Sequence, residues 1–207
     1  MPLYLNKKLS EEIHFMVWHL TETIEELITL IRPDKIDFET LANISHDAKK
    51  KEYLAGKNAV MQMCLLEKIQ FEGIEKDEHG KPFLKNHTYE MSLTHTIDYI
   101  GVVLSKSKPI GIDIEKPREQ IFKVLNRLCV ESELNWVSGD LEKATILWSA
   151  KEALYKLYGK RKVDFKEHLL VGPSKKGIIG KINIPDHQSE YQIYVQNIED
   201  YLLVIAY

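Results

Sequence analysis

Residues 110–115 (IGIDIE) place isoleucine at every second position, which is the period of a β-strand with two different faces. In such a strand Asp113 and Glu115 share one face and lie about 6–7 Å apart, while the isoleucines point the other way. The two carboxylates repel each other, and a bound cation would relieve that repulsion. A half-buried strand with a solvated acidic face would show the same pattern, so both interpretations stay open on these residues alone.

Residues 148–156 (WSAKEALYK) lie in the best-defined predicted helix, which covers about residues 141–158. Helical spacing places Trp148, Glu152 and Lys156 in one row. An exposed glutamate–lysine pair on a helix surface would explain the last two residues without any function. This segment alone therefore does not decide between a surface helix and a functional one.

Together the two segments contribute three carboxylates, those of Asp113, Glu115 and Glu152, and no clustered set of Cys and His ligands. Oxygen ligands suit a hard cation such as Mg²⁺, which usually keeps several waters and binds through carboxylates and substrate phosphates. Lysine side chains near such a site would neutralise phosphate charge. The combination is typical of phosphoryl-type transfer.

The predicted secondary structure runs in the order strand, helices, strands, helices, strands. This order indicates an α+β fold in two halves, residues 1–107 and 108–207, with a ligand site in the cleft between them. Ser45 is the predicted N-cap of a long helix that ends near Ile69. Turn residues divide the predicted C-terminal strands at Gly172-Pro173, at 184–186 and at Glu199-Asp200. The other predicted elements are strands at 13–21, 90–95, 99–105 and 109–115, and helices at 22–31 and 119–136.

The chain of 207 residues is 44% hydrophobic and has a net charge of -3, which is ordinary for a soluble globular protein. The slightly acidic balance argues against wholesale nucleic-acid binding. Residues 15–20 form an apolar run far too short to span a bilayer, and we expect a cytoplasmic protein with no membrane partner. Cys64 and Cys129 are too few for a disulfide framework and are expected to be buried thiols.

Residues 110–115 and 148–156 resemble the two signature motifs, GIDIE and W-x-x-KEA-x-x-K, of the 4′-phosphopantetheinyl transferases. Their separation of about forty residues is similar to that in the larger class of the family, which acts on carrier domains of synthetases and synthases. Weaker similarities lie upstream, so that the resemblance covers roughly residues 45–160. The upstream segments are 49–59 (KKKEYLAGKNA), 80–83 (GKPF) and 92–96 (SLTHT).

The resemblance implies a monomer of two similar α+β halves, packed as a pseudo-dimer with coenzyme A and the active site in the cleft between them. It implies transfer of 4′-phosphopantetheine from coenzyme A to a serine of an apo acyl or peptidyl carrier protein, with release of 3′,5′-ADP and with Mg²⁺ as cofactor. Two other functions use similar residues. A magnesium-dependent nucleotide diphosphate hydrolase would share the carboxylates, and a non-catalytic module would bind coenzyme A or a carrier without reaction.

The resemblance also implies roles for individual residues. Asp113, Glu115 and Glu152 would hold Mg²⁺ against the coenzyme A diphosphate. Glu152 would also be the base toward the carrier serine, and Lys156 would protonate the departing 3′,5′-ADP. Glu133, in a motif similar to the family's Phe-Ser-x-x-Glu, would orient a metal-bound water.

The same comparison places coenzyme A contacts upstream of the acidic strand. Lys57 would lie near the 3′-phosphate, Lys81 and Pro82 would line the nucleotide pocket, and Thr94 and His95 would contact phosphates. His95 could equally be a structural histidine. Lys57 stands where the family usually has arginine and lacks its planar fork, and residues 160–162 (KRK) lack a second glycine often found there.

The stretch 120–137 holds more apolar side chains than one face of a helix needs. We expect one or two of them to stay exposed and dock a helix of an acidic carrier protein, with Lys116, Arg118 and Lys123 steering the encounter. Polar substitution of Phe122 and Leu125 is predicted to raise the KM for the carrier protein and to leave folding intact.

Overall fold

The computed structural model of the protein describes residues 3–185 and 187–207, and it combines helices with antiparallel sheets. The predicted α+β class is confirmed. The chain divides into two compact units, one comprising residues up to Asp77 together with Pro82–Ser107, the other Glu78–Lys81 together with Lys108–Tyr207. The predicted similarity of two halves stays a prediction, and Asp186, in the predicted break at 184–186, lies outside the described residues.

The first unit is built on a four-stranded antiparallel sheet in the order β1-β2-β6-β5, with the long helix α3 packed against it. Its core contains Leu54 and Val60 of that helix and Met16 and Ile100 of the sheet. The elements are β1 (Leu3–Lys8), β2 (Ile13–His19), α1 (Ile24–Leu30), a 3-10 turn (Pro33–Lys35), α2 (Phe38–Asn43), α3 (Asp47–Leu66), β3 (Ile74–Lys76), β4 (Pro82–Leu84), β5 (Glu90–His95) and β6 (Tyr99–Ser105).

The second unit is built on a five-stranded sheet in the order β7-β11-β10-β9-β8, in which all neighbours are antiparallel. Helix α6 packs along this sheet, and Leu147 and Leu154 of the helix share a buried cluster with Ile193 and Val204 of the strands. The elements are β7 (Gly111–Glu115), α4 (Gln120–Leu128), α5 (Glu131–Val137), α6 (Leu141–Tyr158), β8 (Leu169–Ser174), β9 (Gly177–Ile184), β10 (His187–Ile198) and β11 (Tyr201–Ala206).

Three sequence-based boundaries are wrong. The single helix predicted at 119–136 is two helices, because Cys129 and Val130 are extended, and the Val130 N–H donates to Glu133 Oε2 at 3.0 Å. The predicted break at Gly172-Pro173 lies inside β8, which is an edge strand. Proline has no backbone N–H to donate, and an edge strand tolerates this because only one of its sides is paired. The N-cap of α3 is His46 rather than Ser45.

The apolar residues of α4 are more deeply buried than the docking hypothesis assumed. Leu125 is completely buried in the core of the second unit, and Phe122 is half-buried against the same cluster. Truncation of a buried leucine costs about 2–5 kcal/mol. The expectation that a polar residue at 125 would leave folding intact is therefore wrong.

Both cysteines are buried free thiols, as predicted. Burial raises the pKa of Cys64 to about 11 and that of Cys129 to about 12, so neither is a reactive thiolate at neutral pH. Within residues 3–185 and 187–207, no helix is both long enough and apolar enough to cross a membrane.

Candidate functional site

Gly111 allows the backbones of β7 and α6 to touch. A Cβ atom built at this position would lie 1.9 Å from the Ala153 carbonyl oxygen and 2.9 Å from the Leu157 nitrogen. No side chain fits there, so glycine is required for the close approach. The approach brings one row of α6 side chains against the acidic face of β7.

Asp113 is held from α6 by two side chains. Ser149 Oγ donates to Asp113 Oδ2 at 3.0 Å, and Lys156 Nζ donates to Asp113 Oδ1 at 2.8 Å. The same ammonium donates to the Ile112 carbonyl oxygen at 2.9 Å. Asp113 is buried, so these contacts are shielded from water and are stronger than exposed pairs. The lysine and the strand carboxylate predicted to act together thus contact each other directly.

Glu115 is held at the end of the same strand. The Trp148 indole N–H donates to Glu115 Oε1 at 3.1 Å, and Arg118 lies 3.2 Å from Glu115 Oε2. Because Trp148 precedes Ser149 on α6, neighbouring residues of one helix fix both strand carboxylates. The alternation predicted at 110–115 therefore presents its two acids to one partner helix.

Glu152 lies in the electrostatic field of both strand acids. Burial raises the pKa of its carboxyl from 4.5 to about 7; after burial, the negative charge of Asp113 raises it most, Lys156 opposes the rise, and Glu115 adds a smaller increase. A carboxyl with a pKa near 7 can accept or release a proton at neutral pH. The structure thus places Glu152 within electrostatic range of Asp113, Glu115 and Lys156, and the catalytic and metal-binding roles of these residues stay predictions.

The donor set fits the magnesium prediction in chemical type, since all three acids offer carboxylate oxygens and their mutual repulsion favours a cation. Within the described residues, no three His, Cys, Asp or Glu side chains form a group that could hold a metal ion by itself. Magnesium usually takes only one or two carboxylates and completes its shell with water and phosphate oxygens. The assignment of these acids as magnesium ligands stays a prediction.

Lys81 lies at the C-terminal end of α6. Its Nζ donates to the Leu157 carbonyl oxygen at 3.3 Å, and the C-cap Gly159 has a left-handed backbone with φ of 71°. A Cβ atom at Gly159 would lie 2.5 Å from Lys81 Cδ. Lys81 thus packs where the helix carrying Lys156 ends, while its neighbour Pro82 begins β4 in the other unit.

The remaining predicted coenzyme A contacts belong to the first unit. Lys57 Nζ donates to the Lys35 carbonyl oxygen at 2.7 Å. His95 Nε2 lies 3.2 Å from Glu52 Oε2, and Thr94 is buried in β5. His95 has a protein partner, which fits the structural alternative, and none of these contacts tests a role in coenzyme A binding.

The sequence interpretation missed Lys151. This side chain is completely buried, and its ammonium lies 2.9 Å from Glu133 Oε2. Glu133 contacts Lys151 and two backbone N–H groups, and its predicted role in orienting a metal-bound water stays a prediction. A signal was present, because Lys151 lies between Leu147 and Leu154 at helical spacing, and a lysine in an apolar stripe indicates a buried ion pair.

Comparison with known proteins gives the same family as the motifs. Residues 109–206 match the model of the 4′-phosphopantetheinyl transferase superfamily, a range that contains β7, α6 and the whole five-stranded sheet. The chain is 29% identical over 90 residues to the 4′-phosphopantetheinyl transferase gsp of Aneurinibacillus migulanus, which is 41% of this chain and 37% of that protein. It is 22% identical over 143 residues to a protein of Haemophilus influenzae provisionally named a 4′-phosphopantetheinyl transferase, which is 61% of each chain.

Both matches span less than two thirds of the relative's length. The residues matched by the family model include the acidic strand and the helix that together form the site. Residues 109–206, just under half of this chain, are therefore similar to the 4′-phosphopantetheinyl transferase superfamily.

Proposed function

We propose that the protein transfers the 4′-phosphopantetheine arm of coenzyme A to a serine of an apo carrier protein and releases 3′,5′-ADP. The observation that carries the proposal is the contact between β7 and α6, which joins three carboxylates and a lysine in one partly buried site. The similarity of residues 109–206 to the 4′-phosphopantetheinyl transferase superfamily supports phosphopantetheine chemistry, and the carrier serine is the acceptor expected of that chemistry. We further expect a cytoplasmic monomer, a state that light scattering on the purified protein would test.

Each residue of the site has a defined part in the proposed reaction. Glu152 takes the proton of the serine hydroxyl, because a hydroxyl becomes an effective nucleophile only when a base within hydrogen-bond reach accepts its proton. The serine oxygen then bonds to the phosphorus that carries pantetheine, and the bond from that phosphorus to the bridging oxygen breaks. The Lys156 ammonium stabilises the charge on the departing 3′,5′-ADP and donates a proton to it. Bound Mg²⁺, held by Asp113, Glu115 and Glu152, would neutralise the diphosphate.

Intact mass spectrometry of a carrier protein tests the proposal directly. The protein is incubated with coenzyme A, Mg²⁺ and an apo acyl carrier protein. A gain of one phosphopantetheine on the carrier is the expected result. Breakdown of coenzyme A with an unmodified carrier would indicate the hydrolase instead, and an unmodified carrier with intact coenzyme A would indicate a binding module.

Asp113→Asn should reduce the initial rate of carrier modification at least about 100-fold, because it removes the charge that holds Lys156 and that is proposed to hold Mg²⁺. The matched control is Asp200→Asn, which removes an exposed acid paired with Lys116 at a turn. Rates are measured from the modified fraction of the carrier at short times. Retention of half the activity by the Asp113 variant would contradict the proposed site.

Lys123 and Arg127 are exposed and lie one turn apart on α4. Each is followed by a half-buried apolar residue, Val124 after Lys123 and Leu128 after Arg127. This mixed basic and apolar face fits an acidic amphipathic helix better than the buried Leu125 does. We expect Lys123→Glu with Arg127→Glu to raise the KM for the carrier about tenfold and to leave the KM for coenzyme A unchanged.

Lys175→Glu with Lys176→Glu, two reversals at an exposed turn in the same unit, is the charge-matched control for this carrier surface. The effect of the α4 variant should shrink at high salt, because exposed charges are screened. An equal rise of the carrier KM in the control and in the α4 variant would point to net charge rather than to docking.

A further inference from the structure

Lys151 makes a complete set of contacts inside the second unit. Its ammonium has three N–H donors, and these meet Glu133 Oε2, the Phe165 carbonyl oxygen at 2.8 Å and the Leu169 carbonyl oxygen. The side chain is completely buried. Each donor is therefore used, and the lysine connects α6 to a segment 14 to 18 residues further along the chain.

Glu133 completes the network from the other side. Its Oε1 accepts from the Val171 N–H at 2.7 Å, and its Oε2 accepts from the Val130 N–H at 3.0 Å in addition to Lys151. The ion pair thus fixes the start of α5, the start of β8 and the segment before β8 relative to one face of α6. None of these contacts is made by the proposed catalytic residues.

The segment held by Lys151 carries an aromatic side chain that packs beside the acidic site. The ring of Phe165 stacks on Trp148, with centroids 6.0 Å apart and an angle of 27° between the rings, and it also packs against Tyr155. Trp148 in turn donates its indole N–H to Glu115. A continuous path of contacts therefore runs from the buried ion pair to one of the three acids.

We propose that Lys151 and Glu133 are positioning residues, which hold Phe165 against Trp148 and thereby set the position of Glu115 in the acidic site. This inference rests on the proposed function for its purpose, because it assigns the ion pair a part in preparing the metal- and phosphate-binding residues. Groups that support ligands from behind commonly change metal affinity or activity 10–100-fold when altered.

A purely structural ion pair is the alternative, and two variants separate it from positioning. Lys151→Met with Glu133→Gln removes both charges, so that neither is left buried and unpaired, and such double replacements are often tolerated. Phe165→Leu leaves the ion pair intact and removes only the aromatic ring that contacts Trp148. A positioning role predicts the same local effect at Trp148 from both variants.

Hydrogen exchange of the indole N–H groups, followed by NMR, provides the main test. Trp148→Phe identifies the Trp148 signal, and Trp18, whose indole N–H donates to Glu22 at 3.0 Å in the other unit, is the internal control. We expect exchange at Trp148 to accelerate about tenfold in both variants and exchange at Trp18 to stay unchanged. Unchanged exchange at Trp148, or equal acceleration at both indoles, would overturn the inference.

Calorimetric titration with Mg²⁺ alone provides a second measurement. Both variants should bind the ion about tenfold more weakly than the unsubstituted protein, because Glu115 loses its fixed position. Unchanged affinity would show that the path ends at Trp148 and would also overturn the inference. A failure of the proposed function would appear differently, as an unmodified carrier with the unsubstituted protein, while exchange at Trp148 would still accelerate in both variants.

Discussion

Gly111→Val should be unfolded, or nearly so, at 25 °C. A Cβ atom at this position would lie 1.9 Å from the backbone oxygen of Ala153, so the strand or the helix would have to move as a whole. That movement would break the contacts of Asp113 with Ser149 and Lys156. Backbone displacement in a packed core belongs to the changes that cost more than about 4–5 kcal/mol, which is a large fraction of the stability of a typical domain.

Gly172→Ala is the matched control for this prediction, because a Cβ atom there meets no other atom within 4 Å. Replacement of an unstrained glycine by alanine should change stability by about 1 kcal/mol or less. Urea unfolding followed by far-UV circular dichroism measures both variants. A cooperative transition of Gly111→Val close to that of the unsubstituted protein would show that β7 and α6 do not require backbone contact.

Glu152→Gln should lower the transfer rate about 100-fold or more and, at pH 8 without metal, make the protein more stable. The rate falls because the amide cannot accept the serine proton. Stability rises because the native state holds an ionised Glu152 near Asp113 in a partly buried site, and the glutamine carries no charge. A pKa raised from 4.5 to about 7 corresponds to about 3 kcal/mol, which partial exposure reduces to about 1–2 kcal/mol.

The sign of the pH dependence follows from proton binding. Between pH 4.5 and about 7 the native state binds more protons at Glu152 than the unfolded state does, so stability falls as the pH rises through this window. Below pH 4.5 the carboxyl is neutral in both states, and the glutamine variant should show no advantage. Above pH 7 the advantage should be complete.

Urea unfolding at pH 4, 6 and 8 in the presence of a chelator measures this dependence, and Glu142→Gln is the control. Glu142 is an exposed acid in the first turn of the same helix. Its replacement should slightly lower stability, because an acid near a helix N-terminus is favourable. An identical pH profile for Glu152→Gln and the unsubstituted protein would mean that Glu152 ionises as freely as it does in water.

Much of the fold follows from local patterns. The predicted strands at 90–95 and 99–105 and the predicted helix at 141–158 have the bounds found in the structure. These segments have strong periodicity, and their limits coincide with turn residues or a glycine C-cap. The small strands β1 and β3 and the short helix α2 were not predicted, because short elements owe their structure to pairing with distant residues rather than to their own pattern.

In the candidate site, too, local patterns predicted some of the arrangement and long-range packing decided the rest. Alternation along β7 was sufficient to place Asp113 and Glu115 on one face, and helical spacing was sufficient to align Glu152 with Lys156. The partners of Lys151 were not predictable in this way, because both are distant in sequence. Glu133 precedes Lys151 by 18 residues, and Phe165 follows it by 14 residues. The structure brings them together through the packing of α5 and β8 against α6.

By itself, the amino-acid sequence determined the period of each strong element, the residues that share a face and the family that residues 109–206 resemble, because all of these depend on neighbours within a few positions or on motifs. Tertiary structure alone decided that Pro173 lies in a paired edge strand, that Leu125 is buried, and that Lys151 and Glu133 form an enclosed ion pair. A side chain becomes buried, and its electrostatic environment changes, only when distant segments pack around it and exclude water. The local sequence pattern does not indicate which distant segments will pack there.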